Sequence, residues 1–325
     1  MHYSTFNDAW KSEVINAYVN GSEISPRQLK CKEVINRQFT ITDPRSRLIS
    51  INTRKMSPFY AIGELLWYLS GSNELDFISY YSSFWKKCSD DNETLNSAYG
   101  HRIFGHHPDI LFNQFDHVVK LLSKDPYSRQ AIIHFKLPSS VKTKDEVCTL
   151  SMQFLIRDEK LHAITNMRSN DVMWGTTYDI YFFTILQEML ALKLKVNLGY
   201  YYHTAGSLHL YKKDYKVAEN LLNRMYKTAV IYKHKPLTEG FIRDIPALIE
   251  IEEVIRTTGS LLQTTKSYIS NDIFSTTIVA LLVLYTYYRN TNYSAYAEAR
   301  RFYDIYIMDC YKTLLIPFDE KMKCL

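Results

Sequence analysis

Between residues 130 and 211 the hydrophobic pattern changes period repeatedly, and this alternation narrows the possible fold more than any other property of the chain. Gln130–Phe135, Thr149–Ile156 and Leu161–Asn166 read as strands, with Arg157–Lys160 (RDEK) as the turn of a hairpin between the last two. Asp179–Leu194 reads as a long apolar-rich helix, and Leu198–Tyr211 returns to strand. Strands joined through such a helix require a sheet with helices laid against it. Upstream, a helix is expected from Met1 to about Gly21, then β-rich runs near Glu33–Thr42 and Arg47–Asn52. Apolar residues fall at helical spacing over Pro58–Leu69, after a start at Met56–Ser57, since proline suits a first turn. Ser70–Phe104 suggests short helices and loops, and Phe112–Lys124 a helix ended by Asp125–Pro126. Lys213 onward is helical, and from about Leu221 the chain is mostly helical with Lys-rich loops. The expectation is an α/β (α+β) fold, with a core over residues 1–220 and a helical extension over residues 221–325. No linker rich in Gly, Ser or Pro separates the two, so the extension is expected to pack on the core.

Composition excludes several classes. The 325 residues are 46% hydrophobic and 22% charged, which suits a packed domain and not a disordered chain. The five cysteines are an odd number, scattered and without a CxxC pair, so they read as reduced thiols and not as a disulfide or metal framework. The N-terminus lacks an apolar signal core, and the longest apolar run, Thr277–Tyr288, falls short of the roughly 20 residues that span a bilayer. A buried helix and a cytoplasmic protein with no membrane partner are expected. A formal charge of +5 suits an anionic ligand but is too weak to imply nucleic acid. The short clusters Lys212–Lys213 and Lys233–Lys235 read as solvated faces.

Cys148 follows the charged segment KTKDE at the start of a strand. A lone cysteine is ordinarily a small core residue, and what matters here is its company. Arg168, Ser169, Asn170 and Asp171 are four consecutive polar residues between an apolar strand and an apolar helix, a place where pockets form on α/β scaffolds. DPYSRQ puts Arg129 at a helix-to-strand junction, and GSLHLY puts His209 and Tyr211 on one face of a strand. With ELLWYLSGSNE from Glu64, SFWKK with Trp85, SAYGHR with Tyr99 and the Cys148 segment ending in MQF, these pieces occur in an order and spacing that resembles the thymidylate synthase family over roughly residues 5–220.

The resemblance implies a mixed-sheet homodimer that transfers a one-carbon unit from 5,10-methylenetetrahydrofolate to C5 of a pyrimidine nucleoside monophosphate. It implies Cys148 as the nucleophile at C6 and Glu64 as the carboxylate that relays protons at the base, with Tyr99 near the nucleophile. Arg168 and Ser169 resemble phosphate contacts, as does Arg129, reaching in from the partner subunit; Arg27 is the nearest candidate for a further arginine. His209 and Tyr211 resemble the pair that binds the sugar hydroxyl. Trp85, Asp171 and Gly175 resemble the folate side. No metal is implied.

Asp179 departs from the family, where asparagine reads the uracil edge. Cytosine presents the reverse pattern, an N3 acceptor and an N4 donor, which a carboxyl group can match by sharing a proton. Asp179 and the run RSNDV resemble the deoxycytidylate hydroxymethylase branch. The alternative is that Asp179 caps the helix that follows. Val147 and Thr149 flank Cys148 where the family usually has Pro and His, Gln130 replaces the second of two adjacent arginines, and FDEKMKCL does not resemble the family's folate-covering tail. A site that admits water gives a hydroxymethyl product, and a dry one gives methyl. Hydroxymethylation of dCMP is expected. Methylation of dCMP or dUMP, CMP as substrate, and a silent nucleotide-binding regulator stay open.

Overall fold

A computed structural model describes the chain apart from residues 52–53, 55, 106–112, 137–142, 227–232, 260–269 and 325. Two compact units emerge. The first comprises Met1–Met56, His106–Val141 and Val147–Lys233; the second comprises Ser57–Gly105, Lys142–Glu146 and His234–Leu325.

The first unit is built on a mixed sheet. Its strands are β1 (His2–Tyr3), β2 (Ser22–Ile24), β3 (Cys31–Ile41), β4 (Ile132–His134), β5 (Thr149–Arg157), β6 (Lys160–Met167), β7 (Asn170–Asp171) and β8 (Asn197–Tyr211). The order is β1-β3-β8-β6-β5-β4, with β2 on β3 and β7 on β8. β6 and β8 run parallel, and β5 and β6 form the expected hairpin. Asp158 and Glu159 at its tip have φ of 48° and 57°, the two left-handed residues that match a tight turn to strand twist.

The long helix α6 (Gly175–Leu194) covers one face of this sheet. Met152 and Phe154 of β5, Ala163 and Thr165 of β6, and Tyr201 and His203 of β8 are buried on alternate positions. The intervening residues, among them Leu155, His162, Ile164, Tyr200 and Tyr202, are half-buried or exposed. Helix α1 (Phe6–Asn20) is capped by the Thr5 hydroxyl, which accepts from Asp8 N at 3.1 Å. Trp10 Nε1 of this helix donates to Val172 O at 2.9 Å and ties it to the segment before α6.

Three local expectations differ from the structure. Residues 2–3 pair with β3 as a short strand, so the first helix begins at Phe6. Arg47–Asn52 forms no strand in its described part beyond a bridge at Ile51; Arg47, Leu48, Ile49 and Ile51 are buried, with Arg47 bonded to Glu188. Helix α6 begins at Gly175, four residues before Asp179.

The second unit is helical. Helix α2 (Pro58–Leu69) starts where expected: the Ser57 hydroxyl accepts from Tyr60 N at 3.2 Å and Pro58 fills the first turn. Helix α3 (Leu75–Tyr81) and helix α4 (Tyr99–Phe104) lie close to it through glycines. A Cβ on Gly63 would sit 2.4 Å from the Tyr81 ring, and one on Gly100 would sit 2.0 Å from the Tyr68 carbonyl. Helix α7 (Tyr215–Leu222) belongs to the first unit, and the long helices of residues 234–325 are α8 (Glu239–Thr258) and α9 (Ile273–Arg289). The apolar run at Thr277 lies in α9, buried from Phe274 to Leu284. Tyr285 Oη of α9 donates to Tyr80 O at 3.0 Å, and Phe59 of α2 meets the Tyr285 ring at 5.3 Å. Among the described residues no helix is long and apolar enough to cross a membrane.

Candidate active site

In the first unit, the ends of β5, β6 and β8 bring most of the expected residues together. Cys148 immediately precedes β5 and is half-buried. Arg168 follows β6; its backbone N donates to Cys148 O at 2.9 Å, its Nε to Val147 O at 2.8 Å, and its Nη2 to Cys148 Sγ at 3.7 Å. The sulfur thus has a positively charged guanidinium beside it. Arg168 itself is exposed. Ser169 is next in the chain and half-buried.

His209 and Tyr211 project from one face of β8 with rings 5.0 Å apart. Strand β7 pairs with β8 so that Asp171 is opposite His209, and Val172 N donates to His209 O at 2.9 Å. Burial pushes the His209 pKa below its usual value, although Asp171 pulls the other way. Burial likewise raises the Asp171 carboxyl, against the pull of the Met173 N–H, which Oδ1 accepts at 2.8 Å. Burial raises the Tyr211 phenol, which also feels the charges of Asp171, Arg27 and Cys148. Arg27 is therefore brought to this group. It sits in a short turn, Pro26–Gln28, where Arg27 (φ 50°) and Gln28 (φ 65°) are both left-handed, a costly backbone for residues with a Cβ.

Asp179 lies in the second turn of α6, so the helix-capping alternative fails on position: Trp174 holds the cap. Its Oδ2 accepts from Asn170 Nδ2 at 2.9 Å. Asn170 is 2% exposed, and its Oδ1 accepts from the Thr176 hydroxyl and lies 3.1 Å from His203 Nε2. Sequence reasoning noted Asn170 only as one of four polar residues and missed His203 altogether. Gly175 opens α6 beside Asn170 and Asp179. Arg129 is exposed on the loop between helix α5 (Gln114–Lys124) and β4, and its carbonyl accepts from Gln153 Nε2 at 2.8 Å.

Glu64, Trp85 and Tyr99 belong to the second unit. Glu64 Oε1 accepts from Tyr60 Oη at 2.7 Å, and Tyr60 Oη accepts from Trp85 Nε1 at 3.0 Å. Burial pushes the Glu64 carboxyl up to about 7, with the Tyr60 and Tyr68 hydroxyls opposing. A carboxyl near neutrality is suited to both giving and taking a proton. Tyr99 is buried with its ring 5.5 Å from that of Tyr68. Among the described residues no cluster of His, Cys, Asp or Glu could hold a metal ion.

Known proteins resemble this chain in sequence and fold. Deoxyuridylate hydroxymethyltransferase of Bacillus phage SP01 is 31% identical over 68% of this chain and 61% of its own length. The enzyme of the same name from Delftia phage PhiW-14 is 27% identical over 65% of this chain and 63% of its own. The match thus spans less than two thirds of either phage protein. Thymidylate synthase of Buchnera aphidicola is 28% identical over 59% of this chain and 74% of its own length. Among solved structures, thermostable thymidylate synthase A of Bacillus subtilis superimposes with a TM-score of 0.59 at 23% identity, covering 69% of this chain and 86% of that one, which shows a common fold. The sequence model of the family described as thymidylate synthase matches residues 11–243, and the chain belongs to that family.

Proposed function

We propose that this protein transfers a one-carbon unit to C5 of a pyrimidine nucleoside monophosphate and that its substrate is dCMP, converted to 5-hydroxymethyl-dCMP. The co-substrate would be 5,10-methylenetetrahydrofolate, which supplies the carbon at the formaldehyde oxidation level. Asp171 is assigned to the folate side by family resemblance. Trp85 and Gly175 are assigned to the same side by family resemblance.

Cys148 thiolate, with Arg168 beside it, adds to C6 and makes C5 nucleophilic. Arg168, Ser169 and Arg27 bind the 5′-phosphate; a guanidinium offers phosphate two parallel N–H bonds. His209 and Tyr211 bind the sugar hydroxyl, and the neutral imidazole can both donate and accept there. Family resemblance assigns Glu64, a carboxyl near neutrality, to moving protons at the base and orienting a water, and Tyr99 to the neighbourhood of the nucleophile. Once the carbon is on C5 and the C5 proton has left, water adds to the exocyclic methylene and Cys148 departs from C6. Overall, one water is consumed and tetrahydrofolate is released.

The observation that carries the choice of base is Asp179: a carboxyl where the family has an amide, inside the helix and not at its cap, accepting a hydrogen bond from Asn170. A second reading has its own support, since the two phage relatives are named for deoxyuridylate. We further propose a homodimer formed through the sheet face that carries Leu155, His162, Ile164, Tyr200 and Tyr202, with Arg129, at the edge of that face, serving the partner's phosphate site. Purified protein incubated with methylenetetrahydrofolate and equimolar dCMP, dUMP, CMP and UMP, followed by mass spectrometry, tests the assignment. A hydroxymethyl group on dCMP alone is expected. The same group on dUMP alone establishes the second reading, and no product on any nucleotide refutes both.

A further inference from the structure

A carboxyl group used to read a base has a polarity problem. The neutral acid offers one donor and one acceptor, but its proton can sit on either oxygen. In one arrangement it matches the N3 acceptor and N4 donor of cytosine. In the other it matches the N3–H donor and O4 acceptor of uracil. An aspartate at position 179 does not by itself choose between them.

We infer that Asn170 makes the choice, as a specificity-determining positioning residue that donates its amide N–H to Asp179 Oδ2 and so holds that oxygen as an acceptor. The inference rests on the reading of Asp179 as the base contact. The bond is 2.9 Å long. With Oδ2 held as an acceptor, a carboxyl proton belongs on Oδ1, and the group presents one fixed donor–acceptor order.

Asn170 is in turn oriented by its neighbours. Asparagine can also be turned end for end, so its own polarity has to be fixed. Its Oδ1 accepts from the Thr176 hydroxyl and lies 3.1 Å from His203 Nε2. His203 is fully buried, and burial pushes its pKa down to about 3, so the ring carries a single N–H at neutral pH. Its Nδ1 lies 3.1 Å from Tyr201 Oη. With the phenol donating to Nδ1, the ring proton is on Nε2 and points at Asn170 Oδ1. Only the amide nitrogen is then left to face Asp179. A polarity set by Tyr201 passes through His203 and Asn170 to the carboxyl, and every member but Asp179 is buried.

Gly175 bears on the same bond independently. A Cβ at this position would lie 3.3 Å from both Asn170 Nδ2 and Asp179 Oδ2, closer than such contacts normally come. The two partners can meet because the first residue of α6 has no side chain.

The test is equilibrium binding of dCMP and of dUMP, without folate, to the full-length parent and to Asn170→Leu and Gly175→Ala. The expected result is a parent preference for dCMP that falls about tenfold in both variants, the size set by losing one buried hydrogen-bond partner. His203→Gln, which can still donate to Asn170 Oδ1, should keep more of the preference than His203→Leu. Where Asn170→Leu does not fold, Gly175→Ala carries the test, because alanine suits a helix start. A parent without preference for dCMP refutes the reading of Asp179 itself. A parent that prefers dCMP and variants that keep its ratio, even with both affinities weakened, overturn the role of Asn170 alone.

Discussion

Arg168 Nη2 lies 3.7 Å from Cys148 Sγ while Nε of the same guanidinium donates to Val147 O at 2.8 Å. One side chain thus brings charge to the sulfur and also holds the backbone before it. A lysine would keep the charge but has no rigid fork to serve a carbonyl, a sulfur and a phosphate together. Arg168→Lys should therefore lose about tenfold or more in nucleotide affinity, and Arg168→Ala more still. Titration calorimetry with the nucleotide reads both; a lysine variant equal to the parent would show that the fork is not used.

Removing the sulfur separates binding from chemistry. Cys148→Ala should retain nucleotide affinity within about threefold, because a small half-buried side chain contributes little to a site held by phosphate contacts. Turnover should disappear, since no other group supplies the electron pair to C6. Residual turnover near the parent rate, measured as tetrahydrofolate release, would rule out covalent catalysis.

Much of the catalytic strand architecture was legible in the sequence, and the exceptions have physical causes. The β5–β6 hairpin, the start of α2 at Ser57–Pro58 and the pairing of His209 with Tyr211 on one face of β8 follow from local signals: period, turn and cap. The true start of α6 was hidden because Gly175, Thr176 and Thr177 look like a loop. In the fold, the Thr177 hydroxyl donates to Met173 O at 2.9 Å, so a polar first turn can be buried without an unpaired group. Arg47–Asn52 read as a strand because Leu48, Ile49 and Ile51 are apolar, whereas its described part is mostly buried and forms no strand beyond a bridge at Ile51. The task of Asn170 was illegible because one of its partners, His203, lies 33 positions away on another strand.

Asp179→Asn tests base reading directly. An asparagine restores the family's uracil-matching amide and removes the shared proton. The ratio of kcat/KM for dCMP over dUMP should fall by about a hundredfold, the sum of a lost match on one base and a gained match on the other. Competition between the two nucleotides in one reaction gives the ratio free of errors in enzyme concentration. An unchanged ratio would leave Asp179 as a structural residue of α6.

Glu64 links stability to pH. Its folded-state pKa of about 7 is above the ordinary 4.5, because burial disfavours the charged form. The folded state therefore binds the proton more tightly than the unfolded chain. This contribution is fully present below pH 4.5 and is lost as pH rises through 7, up to about 3 kcal/mol. Glu64→Gln is neutral and of similar shape, so it should melt above the parent at pH 8.5 and approach it at pH 5. Its rate profile should also lack the limb near pH 7 that a titrating relay produces. A melting difference that does not vary between pH 5 and 8.5 would show that this carboxyl does not titrate in that range.

Arg129 offers the sharpest test of the proposed dimer. It is exposed on the loop between α5 and β4, anchored through its carbonyl to Gln153 on the sheet face left uncovered by α6. If it serves the partner's phosphate site, Cys148→Ala and Arg129→Ala homodimers are each impaired for a different reason. After subunit exchange, a hybrid dimer contains one site with an intact Cys148 and an intact Arg129 from the neighbour. Its second site lacks both. Random exchange makes half the dimers hybrid with one good site each, so an equal mixture should recover about a quarter of parental activity. If Arg129 instead acts within its own subunit, every site in the mixture carries one defect and no activity returns. Substituting Ile164→Asp on the same sheet face should abolish the recovery by preventing association, which light scattering would register as a halving of the mass.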